Sequence, residues 1–255
     1  MNGTVGLAAL TVEGRKTSAS RAVLVTTVLL VVGIALLAGS LTWAAARGNE
    51  RVLAQLGPLA GEAGWDRLMG VVAQVTAAAS LLGFGTVLSW MFGREFTEGT
   101  ISGLFALPVS RPAVAAAKLA VYLLWALGVA ALLTALLGAV GTALRLGAVD
   151  AGVTGALARQ FTLTALSALL ALPAAWAATL GRGLLPGIAT TVGILVVAQV
   201  VAVAGTGAWF PFTAPALWAL HPAGVSPAQL ALVGLVPVVF VPAVLLTWHR
   251  LQLDR

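Results

Sequence analysis

The sequence contains no cysteine and only two histidines. The lack of cysteine excludes disulfides, thiolate metal sites and cysteine nucleophiles. The chain also has no Gly-x-x-x-x-Gly-Lys-Ser/Thr loop, so we do not expect it to hydrolyse ATP. His221 has no obvious carboxylate partner, and the few aspartates lie near loops or chain ends. We therefore predict no catalytic residues, no metal site and no cofactor on this chain.

Charged residues are also scarce. They make up 9% of the chain and hydrophobic residues 60%, against about 25% and about 45–50% in soluble domains. A soluble fold could not cover its surface with so few charges, whereas lipid needs no such cover. The net charge of +6 is thinly spread, and no basic run exceeds Arg15-Lys16, which argues against nucleic acid as a partner. The composition predicts an all-α, polytopic membrane protein.

Long uncharged stretches divide the chain into membrane spans. The first, Ala22 to Ala46, exceeds the signal-peptide h-region and is expected to be a span. No charge separates the last two spans, but four prolines between 207 and 227 break that region. We predict one domain, 1–255, with an irregular outer segment at 207–227 and six transmembrane helices at about 22–46, 68–93, 113–144, 158–181, 183–205 and 228–249.

The distribution of basic residues predicts the orientation. An even number of spans places both termini on one side of the membrane. That side holds nine of the basic residues and the other side five: Arg15, Lys16, Arg21, Arg94, Arg111, Lys118, Arg182, Arg250 and Arg255, against Arg47, Arg51, Arg67, Arg145 and Arg159. The excess predicts that the N- and C-termini are cytoplasmic.

The interiors of the predicted spans contain no Asp, Glu, Lys or Arg. Transporters driven by protons or ions usually need such groups near the midplane of the membrane, so this class is disfavoured. Uncharged polar residues do occur there, at Thr76, Ser80, Thr86, Thr134, Thr164, Ser167, Thr190, Thr191 and Gln199. They have two open interpretations, which are hydrogen bonds between helices and the lining of a cavity.

The most distinctive segment lies between the second and third spans. Its apolar positions favour one helical face, which predicts a short amphipathic helix at about 95–107. Pro108 is expected to end this helix, and Ser110 to cap the next one with Pro112 in its first turn. A short cytoplasmic helix joined by a sharp turn to a long span suits the transmission of force from a soluble partner.

The same segment carries a recognisable pattern. It reads Glu-Phe-x-x-Gly-Thr from Glu95, then Leu-Pro-Val-Ser-Arg up to Arg111, with Lys118 seven residues later. This pattern resembles the membrane subunit of ABC-2-type ABC transporters, whose members include bacitracin-export and sodium-export permeases. In that family the segment is a coupling helix that docks on a separate ATPase subunit. Glu13 and Lys16 resemble the Glu-x-x-Lys of its N-terminal interfacial helix, and 207–227 resembles its outer re-entrant hairpin.

The resemblance implies roles for single residues. Glu95 and Glu98 are expected to meet basic residues of the ATPase, and Phe96 to fill an apolar pocket there. The remaining residues expected to take part in coupling are Gly99, Thr100 and Leu104. Pro108 and Ser110 are expected to form the turn, and Arg111 and Lys118 to anchor at lipid phosphates.

These observations lead to one functional hypothesis with two alternatives. We expect a permease subunit in a bacterial or archaeal inner membrane that exports a drug, peptide, lipid or other small substrate. Its expected partners are an ABC ATPase, which would bind ATP and Mg²⁺, and a second permease copy, identical or similar. The alternatives are an ATPase-independent carrier or channel, and a membrane scaffold or immunity protein without transport.

Overall fold

Six long apolar helices dominate the structure. The computed structural model describes residues 3–101, 103, 109–205 and 207–252, with side chains from residue 8 onward. Six of its helices are long and apolar enough to cross a membrane, and no strand occurs within the described ranges. Both findings confirm the all-α, six-span fold that the scarcity of charge predicts.

A helix at Gly3–Ser18 precedes the spans. We number the spans 1 to 6 in chain order: Arg21–Ala46, Gly64–Thr97, Arg111–Ala143, Ala151–Leu180, Leu184–Val203 and Pro227–Arg250. Most bounds lie close to those expected from the sequence. Span 4, however, begins at Ala151 rather than near 158, because Asp150 caps it by accepting a hydrogen bond from the Val153 amide. Span 2 continues without a break to Thr97, four residues beyond the predicted end at 93.

The chain outside the membrane spans forms short helical pieces. A helix at Glu50–Leu56 connects spans 1 and 2, with Asn49 as its cap. The connection between spans 5 and 6 contains a helix at Ala214–Leu220 with a 3₁₀ turn on each side. This helix, which we call the outer helix, packs against spans 2 and 4. The segment predicted to be irregular thus folds back onto the bundle.

Span 2 lies at the centre of the bundle. It contacts spans 1, 3, 4 and 5, and 56% of the residues in its most apolar 18-residue stretch are buried. Spans 5 and 6 lie at the edge, and only 17% of the residues in the corresponding stretches are buried. Their uncovered apolar faces suit lipid or another helix, because lipid satisfies apolar side chains as well as a protein core does.

Small residues allow span 5 to approach spans 2 and 4 closely. A Cβ added to Gly187 would lie 2.3 Å from Ser89 Oγ and 2.8 Å from the Ala174 carbonyl oxygen. A Cβ added to Gly85 would lie 2.3 Å from Thr191 Oγ1. Interfaces between transmembrane helices depend on such small residues, because their association relies on van der Waals packing.

The polar residues inside the spans mostly bond within their own helices. The hydroxyls of Thr86, Thr164, Ser167, Thr190 and Thr191 each donate to the carbonyl four residues earlier. Thr76 bonds between helices, since its hydroxyl accepts from Gln160 Nε2 at 2.9 Å. Interhelical bonding, one of the two interpretations from the sequence, therefore applies to Thr76 and not to those five residues.

Adding one methyl group at Gly187 tests the close packing of span 5 against spans 2 and 4. We expect Gly187→Ala to lower the free energy of unfolding by about 1–3 kcal/mol, because the Ala174 carbonyl belongs to the backbone and cannot move aside cheaply. The measurement is a denaturant titration of purified protein in mixed micelles. Gly193→Ala on the same helix is the control, since a Cβ there meets nothing within 4 Å. Equal stability of the two variants would refute the close contact.

Candidate functional site

Four charged side chains meet where the N-terminal helix packs against spans 2 and 3. Lys118 Nζ lies 2.8 Å from Glu95 Oε1 and 2.9 Å from Glu13 Oε2. Lys16 Nζ lies 3.1 Å from Glu13 Oε1 and 3.2 Å from Glu95 Oε1. Each ammonium therefore bridges both carboxylates. We call these four residues the ion cluster.

Local helix geometry places each member of the cluster. Glu13 and Lys16 are three residues apart on one helix, so their side chains share a face. Glu95 lies near the end of span 2, and Lys118 lies about two turns into span 3. Three helices that are distant in sequence are thus joined through two positive and two negative charges.

The cluster is deeply buried. Glu13, Glu95 and Lys118 expose 4%, 1% and 1% of their surface, whereas the Lys16 side chain is about a third exposed. Burial of a charge is costly unless it is paired and hydrogen bonded. Here the charges cancel, which offsets much of that cost. Burial alone would lower the pKa of Lys16, but the carboxylates of Glu13 and Glu95 outweigh it and raise that pKa above its ordinary value. Lys16 therefore stays charged at neutral pH.

A turn that follows span 2 completes the cluster. The Thr100 hydroxyl donates to Glu95 Oε2 at 2.5 Å. Gly99 has φ +68°, a left-handed conformation that favours glycine and ends the helix. Thr97 to Thr100 are exposed, so one side of this turn contacts the cluster and the other faces outward.

Arg94 and Glu98 form the charged edge of the exposed turn. Arg94 Nη2 lies 3.4 Å from Glu98 Oε2, and the Glu98 side chain is half exposed. The Arg94 guanidinium carbon also lies 4.6 Å from the centre of a Trp90 ring, which is within cation–π range. The Glu98 carboxylate thus lies at the surface beside Arg94.

Four expectations from the sequence differ from the structure in detail. Glu95 does not face outward toward a partner protein, and Lys118 does not reach the lipid phosphates. Both side chains are buried and form an ion pair with each other. The helix predicted at 95–107 does not begin at Glu95 either. Span 2 includes Glu95 and ends at Thr97, and helical structure resumes at Ile101 after the Gly99 turn. Phe96 packs partly against the core rather than being fully available to a partner.

The remaining predicted residues divide into described and undescribed ones. Leu104 and Pro108 lie outside the described residues. Ser110 is the cap of span 3 through its backbone carbonyl, which accepts from the Ala113 amide at 2.9 Å, and its side chain makes no capping bond. Arg111 donates a hydrogen bond to the Leu251 carbonyl, so it ties span 3 to the end of span 6.

Sequence reasoning missed the contacts made by the end of span 6. Arg182 donates to the Gln252 carbonyl at 3.3 Å, and Trp248 Nε1 donates to Thr179 Oγ1 at 3.2 Å. Together with Arg111, these bonds attach the end of span 6 to spans 3 and 4 beside the ion cluster. Within the described ranges, no group of three His, Asp or Glu could hold a metal ion.

Removing Lys118 tests whether the cluster holds the N-terminal helix in place. We expect Lys118→Met to cost about 3–5 kcal/mol of stability, because it leaves two buried carboxylates with one ammonium between them. Hydrogen exchange of residues 8–18 should accelerate, and denaturant titration in mixed micelles should show the loss. Lys16→Met is the matched control and should cost less, since Lys16 is partly solvated. Wild-type exchange in Lys118→Met would exclude this role.

Residues 9–199, from the N-terminal helix into span 5, match the family described as ABC-2 family transporter protein. A relative, the bacitracin transport permease protein BCRB of Bacillus licheniformis, is 36% identical over 61 residues. That match spans 23% of this chain and 29% of the relative. Because the family match covers most of the chain, this multi-pass membrane protein belongs to the ABC-2 family of transporters, as its loop pattern suggested.

Proposed function

We propose that the chain is the permease subunit of an ATP-driven ABC transporter and that a separate ATPase docks at the turn beside the ion cluster. The observation that carries this proposal is the cluster itself. It joins the N-terminal helix, span 2 and span 3 through buried charges, directly behind the exposed turn at Thr97–Thr100. A force applied to the turn would therefore reach three helices together rather than bend one loop.

The energetic requirement is a difference in affinity between two states. ATP binding on the partner subunits can shift the permease only if the ATPase binds one permease conformation more tightly than the other. Glu98 and the turn around Gly99 offer an exposed charge and a fixed backbone for such a contact. Glu95 and Lys118 contribute from behind by holding the turn in position.

Substrate and assembly are further parts of the proposal. The similarity to a permease named for bacitracin transport supports export of a peptide, drug, lipid or other small molecule. The uncovered apolar faces of spans 5 and 6 leave room for a second permease copy in the membrane. The excess of basic residues on the side of the ion cluster supports a cytoplasmic position for that side in a bacterial or archaeal inner membrane.

Co-purification with an ATPase tests the docking surface. The partner to use is a P-loop protein without spans encoded beside the permease. We expect Glu98→Ala to weaken binding up to about fivefold, the effect of one exposed charge pair, and to reduce ATPase stimulation by the permease equally. Glu50→Ala removes an exposed carboxylate at the opposite end of the bundle and should change neither quantity. No binding by wild-type permease would refute the ATP-driven function, and equal binding by both variants would refute docking at the turn.

Single cysteines can test the orientation, because the natural chain has none. Gly103 is exposed with open space around it, and Val149 is 52% exposed in the connection between spans 3 and 4. We expect a membrane-impermeant maleimide to label Val149→Cys in intact cells, and to label Gly103→Cys only after permeabilisation. The reverse pattern would place the ion cluster outside and contradict the proposed ATPase contact.

A further inference from the structure

Two cavities lie at the end of the bundle opposite the ion cluster. The first, of about 320 Å³, is bounded by the start of span 2, span 4 and the outer helix. The second, of about 380 Å³, lies between spans 2 and 5 beneath the outer helix. Each lies near the lower end of the range for small-molecule sites, about 300–1,000 Å³.

The two cavities form adjacent parts of one groove. Gln74 and Leu220 line both of them, so the cavities meet at these side chains. We call the combined space the outer groove. The outer helix covers it, because Leu217 and Leu220 belong to that helix and line the second cavity.

The apolar part of the groove contains unpaired amides. Gln74 and Gln199 both line the second cavity, both are exposed, and neither side chain is hydrogen bonded within the described ranges. A polar group left unpaired in hydrocarbon costs several kcal/mol. These amides therefore require water or a polar ligand in the groove, which a space filled by lipid chains alone would not supply. The other walls are mainly alanine, leucine and phenylalanine.

The mouth of the groove is acidic. Glu62 and Asp66 line the first cavity, and both are exposed. Neither carboxylate lies within 4 Å of a basic group in the part of the chain that the structure describes. Arg159 also lines the mouth, but its guanidinium lies along its own helix, with Nη1 3.6 Å from where a Cβ at Gly155 would be. His221 is the remaining titratable group on this wall.

We propose that the outer groove binds a cationic amphiphile. Its charged head would lie between Glu62 and Asp66, and its apolar part would extend past Gln74 beneath the outer helix. Two carboxylates against one guanidinium leave an excess negative charge at the mouth when His221 is neutral. The mixture of apolar walls with a few amides is typical of ligand sites, in which polar groups fix the orientation of an apolar body. An anionic amphiphile would meet two repulsive charges and one attractive charge.

If the outer groove is a transport site, it defines the substrate class, and that role rests on the proposed ATP-driven transport. Binding of the amphiphile does not rest on it, because binding requires neither ATP nor the ATPase. A permease that binds the ATPase but not the amphiphile would refute only the proposed binding of the amphiphile in the outer groove. A permease that binds the amphiphile but no ATPase would refute the ATP-driven function alone.

A cysteine placed in the groove can report its occupancy. Ala216 lines the second cavity and is partly exposed, so Ala216→Cys in the full chain, held in lipid nanodiscs, provides a labelling site. Dodecyltrimethylammonium and dodecyl sulfate are the probes, since they share an apolar chain and differ in the sign of the head. We expect the ammonium compound to slow maleimide labelling of Ala216→Cys, and the sulfate to do so only at higher concentration. Val149→Cys, which does not line the groove, should be labelled at the same rate in all conditions.

Neutralising the mouth completes the test. In the Ala216→Cys background, Glu62→Gln and Asp66→Asn should each raise the ammonium concentration needed for protection by up to about fivefold, the effect of one exposed charge. Labelling without amphiphile should stay unchanged, which shows that the groove is still folded. The proposal is overturned if neither probe protects, if both protect equally, if the sulfate protects better, or if the two substitutions have no effect.

Discussion

The pairing of two lysines with two glutamates is the interaction on which the arrangement of the N-terminal helix, span 2 and span 3 depends. The three deeply buried charges, those of Glu13, Glu95 and Lys118, are tolerated because each lies beside charges of the opposite sign. Glu13 and Lys16 would otherwise belong to an independent surface helix, and Glu95 and Lys118 to the ends of two separate spans. The cluster converts these pieces into one unit and sets the position of the turn that follows span 2.

Packing inside the bundle works differently, because apolar side chains gain little from leaving lipid for protein. Close contact there depends on small residues such as Gly85 and Gly187, which bring spans 2 and 5 together. The hydroxyls mostly donate to their own helices and so need no partner across the interface. Specific polar contacts between elements concentrate at the ion-cluster end, where Arg111 and Arg182 also hold residues 251 and 252.

Much of the fold follows from the sequence, because a segment that crosses the hydrocarbon must be apolar and must form its backbone hydrogen bonds internally. Stretches without charge had to cross the membrane as helices, and six such helices are present. The location of the site could also be predicted, since the sequence pattern included Glu13, Lys16, Glu95 and Lys118. Their pairing could not be predicted, because it joins residues as far as 105 positions apart and depends on how three helices pack. The available clue was that all four residues were predicted to lie on the same side of the membrane. The outer groove could not be predicted from the sequence for the same reason, since its walls come from spans 2, 4 and 5 and from the outer helix.

Span 2 runs unbroken from Gly64 to Thr97, and its two ends belong to different environments. At 1.5 Å per residue, its 34 residues measure about 51 Å. Asp66 borders the outer groove near one end, and Glu95 lies in the ion cluster near the other. If a rigid helix of that length tilted by about 10° about one end, its other end would move by roughly 9 Å with every backbone hydrogen bond kept. A small rotation at the cluster would then become a large translation at the groove.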